Sequence, residues 1–199
     1  MKDGFRIVFL IFPIYSGAFM ETVSKKSAFK PIELAYIALG AALIAICAWI
    51  TIPTTVPFTM QLFAVFFVLT VLGGRNGTIA VAVYLLLGAV GVPVFAGFSG
   101  GPGILFGMTG GYLVGMLPIG FIYWLTTKLL GKKIPAEIGA FLLGLLICYT
   151  FGTIWFTIVN GKNTFAASLM ICVVPFILPD CIKLAIGYLV GRKLRTLIG

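Results

Sequence analysis

Apolar residues fill this chain in long runs, divided at intervals by short clusters of glycine, proline and basic residues. Leu34 to Ile50 is the first regular run, introduced by Lys25, Lys26 and Lys30. It stops at Thr51-Ile-Pro-Thr-Thr-Val-Pro57, where two prolines and three threonines exclude regular helix. A second run, from about Phe58 to Leu72, ends at Gly73-Gly-Arg-Asn-Gly77, residues that tolerate a tight left-handed turn. A third covers Thr78 to Val92, and a fourth extends from about Thr109 to Leu130; the glycine-rich stretch Pro93 to Gly103 lies between them. The fifth covers Ala136 to Val159. After Asn160-Gly-Lys-Asn163 the sixth runs from about Phe165 to Val190, with Pro175 and Pro179 inside it. Crossing a hydrocarbon core takes roughly 20 helical residues. The pattern therefore predicts an all-α fold, a polytopic membrane protein built as a bundle of six transmembrane helices.

Composition agrees. Of 199 residues, 61% are hydrophobic and only 10% charged, against about a quarter charged in a soluble domain. Six crossings use most of the chain and leave no room for a separate soluble domain. The expected organisation is an N-terminal extension and cytoplasmic lead-in over 1–30, then one membrane domain over 31–199. Within the extension, Lys2 and Arg6 precede an apolar run, Ile7 to Met20, broken by Pro13. That reads as a short signal-like, peripheral segment, with Met20 as an alternative start.

Charge supplies an independent test of the six spans. The net charge of +9 is no nucleic-acid footprint, because the basic residues cap apolar runs and form no continuous stripe. With six crossings, Lys25, Lys26, Lys30, Arg75, Lys128, Lys132, Lys133, Arg192, Lys193 and Arg195 all fall on one side. Only Lys162 opposes them. The positive-inside rule then places both termini in the cytoplasm and the Pro/Thr and Gly-rich loops outside a cell membrane. Histidine is absent, which excludes imidazole acid–base chemistry and the common zinc-hydrolase motifs. Cys47, Cys148, Cys172 and Cys181 sit singly in apolar runs and read as packing residues. Neither a metal nor a cofactor is expected.

One polar feature resists a bland reading. Glu33 and Glu137 open helices, where a carboxylate favours the N-terminus. Asp180, in contrast, lies near the middle of the sixth span, where an ionised side chain costs several kcal/mol unless paired or hydrated. Lys183 is three residues on and shares its helical face. A purely structural ion pair explains little, since apolar residues there would be cheaper. Pro175 and Pro179 upstream free backbone carbonyls, which membrane depth tolerates beside protein or a cavity. Together these mark a ligand site. Gly97-Phe-Ser-Gly-Gly-Pro-Gly103 is suited to cover it, Thr109-Gly-Gly-Tyr112 permits close approach, and Phe58, Phe95, Phe98 and Tyr112 are candidate aromatic walls. Gly115 and Gly144 read as helix-packing residues.

The first helix carries a second feature: Ala38, Ala41, Ala42 and Ala45 form two small-xxx-small pairs, 38/42 and 41/45. Such pairs admit a close helix, either within the bundle or from another membrane subunit. The chain contains no G-x-x-x-x-G-K-[ST] phosphate loop and no ladder of acids for an ion pathway. A binding pair without an energy source suggests a capture subunit that depends on partners.

Four segments resemble one known family: Val56-Pro-Phe-Thr-Met-Gln61, Tyr84-Leu-Leu-Leu-Gly-Ala-Val-Gly-Val-Pro-Val-Phe95, Gly107-Met-Thr-Gly-Gly-Tyr-Leu-Val-Gly115 and Pro175-Phe-Ile-Leu-Pro-Asp-Cys-Ile-Lys183. In order and spacing they resemble the BioY family, the biotin-specific substrate-binding (S) components of energy-coupling factor (ECF) transporters, over about residues 30–195. The resemblance implies a six-helix protein that binds biotin from outside and has no ATPase of its own. It implies partners too: an ECF transmembrane coupling protein and two ECF ATPases, with the surrounding membrane lipid. S components are thought to topple in the membrane when ATP hydrolysis is coupled to them. An alanine-rich docking motif on the first helix is matched by Ala38, Ala41, Ala42 and Ala45, which favours docking over internal packing. Biotin's ureido group offers N–H donors and a carbonyl, which an Asp and a Lys can grip through charge-assisted bonds. Asp180 and Lys183 are thus the expected ureido contacts, with Gln61, Thr109, Tyr112, Phe58 and Phe95 as further ligand residues. Lys162 and loop amides are candidates for the valerate carboxylate. The competing readings are an S component for thiamine or riboflavin, an intramembrane enzyme, and a stand-alone channel.

Overall fold

The computed structural model describes residues 30–54 and 56–198; the expectations for residues 1–20 lie outside them. The chain divides into two compact units, Met1–Leu34 and Ala35–Gly199. In the first, the described residues begin a helix. The Lys30 amide donates to Glu33 Oε2 at 3.1 Å, the carboxylate half of a capping box, and Pro31 takes the first helical position, where its missing N–H costs nothing.

That helix, α1, spans Pro31–Trp49. A two-residue hairpin follows, in which β1 (Thr51–Ile52) pairs antiparallel with β2 (Phe58–Thr59). The sequence announced the break there but not the strands, which β-branched residues on either side of the prolines make possible. Next come α2 (Gln61–Ala89), a 3₁₀ turn (Ala96–Phe98) and α3 (Pro102–Leu105). Then α4 (Gly110–Val114) and α5 (Met116–Leu130) abut at Gly115, and α6 runs over Ile134–Asn160. Two helices, α7 (Phe165–Cys172) and α8 (Val174–Ile198), complete the described chain.

Among the described residues, five helical segments are long and apolar enough to cross a membrane: α1, α2, α4 with α5, α6 and α8. The segment α2 is not straight. Gly73 sits at φ 79°, ψ 167°, outside helical space, and the chain reverses there. A Cβ built on Gly77 would lie 2.8 Å from the Leu69 Cα, whereas residues eight apart in a continuous helix are separated by about 12 Å. The two arms of α2 therefore occupy the second and third predicted runs. The first glycine of Gly73-Gly-Arg-Asn-Gly77 makes the turn and the rest is already helix.

The last segment needs a correction. The break expected at Pro175 and Pro179 falls instead at Val173 (φ −122°, ψ −53°). Pro175 stands in the first turn of α8, where proline is tolerated because its missing amide has no helical partner there. Pro179 lies inside α8, which continues through it.

Helices α5 and α8 pack on α2, and α6 packs on α4 and α5. Close approach depends on absent side chains: a Cβ on Gly144 would lie 2.7 Å from the Ile119 backbone, in line with its predicted packing role. One end of this unit carries the hairpin, the glycine-rich loop and the Gly161 turn, and will be called the loop end. The other, the turn end, carries the reversals at Gly73 and Gly131 and the last turns of α8.

Between the two ends lies an aromatic layer. Phe141 of α6 stacks on Tyr123 of α5 (centroids 4.4 Å apart) and meets Phe66 of α2 and Tyr188 of α8 edge-on, at 5.2 and 6.2 Å. Phe66, Tyr123 and Phe141 are fully buried. Immediately below, towards the turn end, Glu137 is also fully buried. Its carboxylate accepts from Tyr123 (2.7 Å), Tyr188 (2.8 Å) and both Arg195 nitrogens (2.8 and 3.3 Å). Arg195 additionally donates to the Thr70 carbonyl at 3.3 Å. Glu137 does lie in the first turn of α6, as a helix-opening carboxylate should, but that is only part of its role. It is the centre of a second buried ion pair that ties α2, α5, α6 and α8 together.

Candidate functional site

Above the aromatic layer, towards the loop end, the helices part to leave a cavity of about 270 Å³. Its position follows from the local backbone. The chain breaks at Val173 between α7 and α8, and α8 lacks the amide of Pro179; α4 and α5 meet at a glycine; and α2 begins only after the hairpin. Residues next to these departures, Gln61, Thr109, Leu113, Met116, Cys172 and Phe176, line the cavity.

Asp180 and Lys183 face this cavity and are buried at 2% and 6% exposure. Lys183 Nζ donates to Asp180 Oδ1 at 2.7 Å, and Tyr149 of α6 donates its hydroxyl to Oδ2, also at 2.7 Å. Lys183 Nζ lies 3.9 Å from the centroid of the Phe58 ring, which in turn stacks with Phe176 (5.9 Å). The ammonium is therefore held between a carboxylate and a ring face. Each carboxylate oxygen still has a lone pair beyond its one internal donor, so the pair can accept from a ligand N–H and donate to a ligand carbonyl without breaking up.

A second polar group stands on α2. Gln61, almost fully buried, donates through Nε2 to the Tyr84 hydroxyl (2.8 Å) and lies 3.4 Å from Met116 Sδ, which leaves its carbonyl unassigned. Tyr84 meets Phe95 edge-on at 5.6 Å. Phe95 rests on Gly88, where any Cβ would collide with the ring. Tyr112 shares a hydrogen bond with Thr153 (3.0 Å) and packs flat over Gly152. Thr59, Ser99 and Thr109 add polar side chains to the lining at the loop end.

The loop is fastened down. Trp49 donates to the Pro93 carbonyl (3.0 Å) and stacks on Phe98 (4.9 Å), while Trp155 donates to the Gly107 carbonyl (2.9 Å). Phe98 adopts φ 56°, a left-handed conformation unusual for a side chain with a Cβ, next to Gly97 at φ 67°.

The BioY family model matches residues 7–199. The chain belongs to the BioY family. Among relatives, the biotin transporter BioY of Thermotoga maritima is 40% identical over 157 residues, covering 78% of this chain and 91% of that protein. The biotin transporter BioY2 of Lactococcus lactis subsp. cremoris is 39% identical over 167 residues, 83% of this chain and 91% of the relative. A crystal structure of the S component for biotin from an ECF-type ABC transporter aligns with a TM-score of 0.76 at 29% identity, covering 85% of this chain and 95% of the other. This is a multi-pass membrane protein with the fold of an ECF S component.

Against that BioY background, the expected site residues can be placed. Asp180, Lys183, Gln61, Thr109, Tyr112 and Phe95 line one cavity. Phe58 does not line it but supports Lys183 from behind. Lys162 is exposed and outside the lining. Tyr149, Phe176 and Thr59 were not anticipated, nor were Cys148 and Cys172, which also line the cavity. Tyr149 had no sequence signal, being one tyrosine in an apolar helix 31 residues before its carboxylate partner.

The small-residue face of α1 divides. Ala41 and Ala45 are buried within the fold, at 2% and 6% exposure, so the 41/45 pair serves internal packing and is corrected as a docking surface. Ala38 and Ala42 are exposed.

Proposed function

We propose that this chain captures biotin as the substrate-binding subunit of an ECF-type transporter. The observation that carries this reading is the buried Asp180–Lys183 pair, held by the half-buried Tyr149, inside a cavity walled by Phe95, Phe176 and Tyr112. A ureido ring presents N–H donors beside a carbonyl, and the Asp180–Lys183 pair offers an acceptor beside a donor. The aromatic walls suit the fused rings, and the polar lining at the loop end, Ser99 and Thr109, suits the carboxylate chain. The relatives' names and the aligned S component point to the same vitamin.

In this reading residues 31–199 form the membrane domain. It crosses six times, counting both arms of α2, with both termini cytoplasmic, a placement that the basic residues at the turn end support. The exposed Ala38/Ala42 stripe receives the transmembrane coupling protein, and two ATPases bound to that protein supply the energy.

Biotin titration of the purified protein by tryptophan fluorescence tests the reading. Trp49 and Trp155 hold the loop over the cavity, so occupancy should change their emission and saturate. Mass spectrometry that found thiamine or riboflavin bound, with no response to biotin, would overturn the assignment.

A further inference from the structure

Among the described residues from Ala35 onward, basic side chains at the turn end of the bundle outnumber the acidic ones available to balance them. Lys128 lies in the last turn of α5, Lys132 and Lys133 in the turn to α6, and Arg192 and Lys193 near the end of α8. The Arg195 bonds to Glu137 and Tyr123 bring these three elements to one place. From Ala35 onward the sequence has only two acidic side chains, Glu137 and Asp180. Glu137 is taken by Arg195, and Asp180 by Lys183 at the other site. Neither can neutralise the five cations.

Exposed apolar side chains are interleaved with the lysines. Leu125, Leu129, Leu130 and Ile134 are all exposed, Leu129 to 71%, beside exposed Lys128, Lys132 and Lys133. Trp124, one turn before Lys128, is exposed as well, as an aromatic at a membrane–water boundary would be. An acidic soluble protein would complement the lysines but not the leucines. A molecule with a phosphate above an acyl chain complements both.

We propose that this end is a binding surface for anionic phospholipid, with Lys128, Lys132 and Lys133 on the headgroup phosphate and Leu125 and Leu129 along the acyl chains. The inference is independent of which ligand fills the cavity.

The test is the melting temperature of the purified protein in neutral detergent, titrated with phosphatidylglycerol or with phosphatidylcholine of the same acyl chains. Phosphatidylglycerol should raise it by about 3 °C or more, as a ligand of the folded state does, and phosphatidylcholine should not. The K128Q/K132Q/K133Q variant should lose that shift, and the corresponding triple arginine variant should keep it. Equal shifts from the two lipids, or an undiminished shift in the glutamine variant, overturns the proposal. A full shift from inorganic phosphate alone also overturns it, in favour of a simple anion site.

Discussion

Tyr149 and Lys183 hold opposite oxygens of one buried carboxylate, each at 2.7 Å, from two different helices. The phenol fixes the orientation of Asp180 and the ammonium balances its charge. What the cavity presents to a ligand is then a preset acceptor next to a preset donor. Preorganisation of this kind reduces the ordering cost of binding.

Asp180→Asn removes the charge, reverses one hydrogen-bonding atom and leaves Lys183 without its counterion. Biotin affinity should fall at least tenfold, about 1.4 kcal/mol, with the protein still folded and membrane-inserted. Calorimetric titration of the variant checks this. An unchanged Kd would remove the ureido contact from the site.

Tyr149→Phe keeps the ring and deletes a single hydrogen bond to a charged acceptor. A bond of that type is worth about 1.5 kcal/mol, so the affinity should drop roughly tenfold. The loss should vanish in an Asp180→Asn background, because the phenol acts through the carboxylate. A double-mutant cycle on Kd reads the coupling.

Ala38→Trp and Ala42→Trp place bulk on an exposed stripe of α1. They should block co-purification with the coupling protein and abolish uptake while leaving biotin binding to the isolated subunit intact. Ala41→Trp should act differently. It overpacks the interior, costing about 1–3 kcal/mol of stability, and should lower the yield of folded protein. Intact assembly in both exposed variants would exclude Ala38 and Ala42 from the docking face.

Glu137→Ala removes the carboxylate shared by Arg195 and two tyrosine hydroxyls, leaving Arg195 only the Thr70 carbonyl and the Tyr123 hydroxyl. Breaking a buried ion pair from one side costs about 3–5 kcal/mol. Arg195 is partly exposed, at 18% of its side chain, which places the expectation near 3 kcal/mol. A fall in melting temperature with little change in Kd for the surviving folded fraction is the expected result. A large change in Kd at unaltered stability would mean that the cluster communicates with the cavity.

Much of this architecture could be read from the chain because lipid imposes a simple rule: a crossing helix is an apolar run, and its ends are polar or flexible. The reversal at Gly73, the loop after Pro93 and the isolated Asp180 all stood out against that background. Three things did not. The partners of Glu137 are a tyrosine 14 residues before it and residues 51 and 58 positions after it, so only the folded bundle shows that a helix-opening carboxylate is also the centre of an ion pair. Tyr149 is chemically unremarkable until Asp180 is set beside it. The two alanine pairs of α1 are equivalent in sequence, because a membrane helix is apolar on every side and no amphipathic pattern tells an inward pair from an outward one.

The layer of Phe66, Tyr123, Phe141 and Tyr188 has a bearing on transport itself. It makes the cavity a cul-de-sac, closed beneath by stacked rings and sealed again by the Glu137–Arg195 pair. A cavity closed on that side fills and empties on the other. The direction of delivery is therefore not written along any path through the subunit. In the proposed reading it resides in which compartment the open side faces, and the coupling protein and its ATPases would change that.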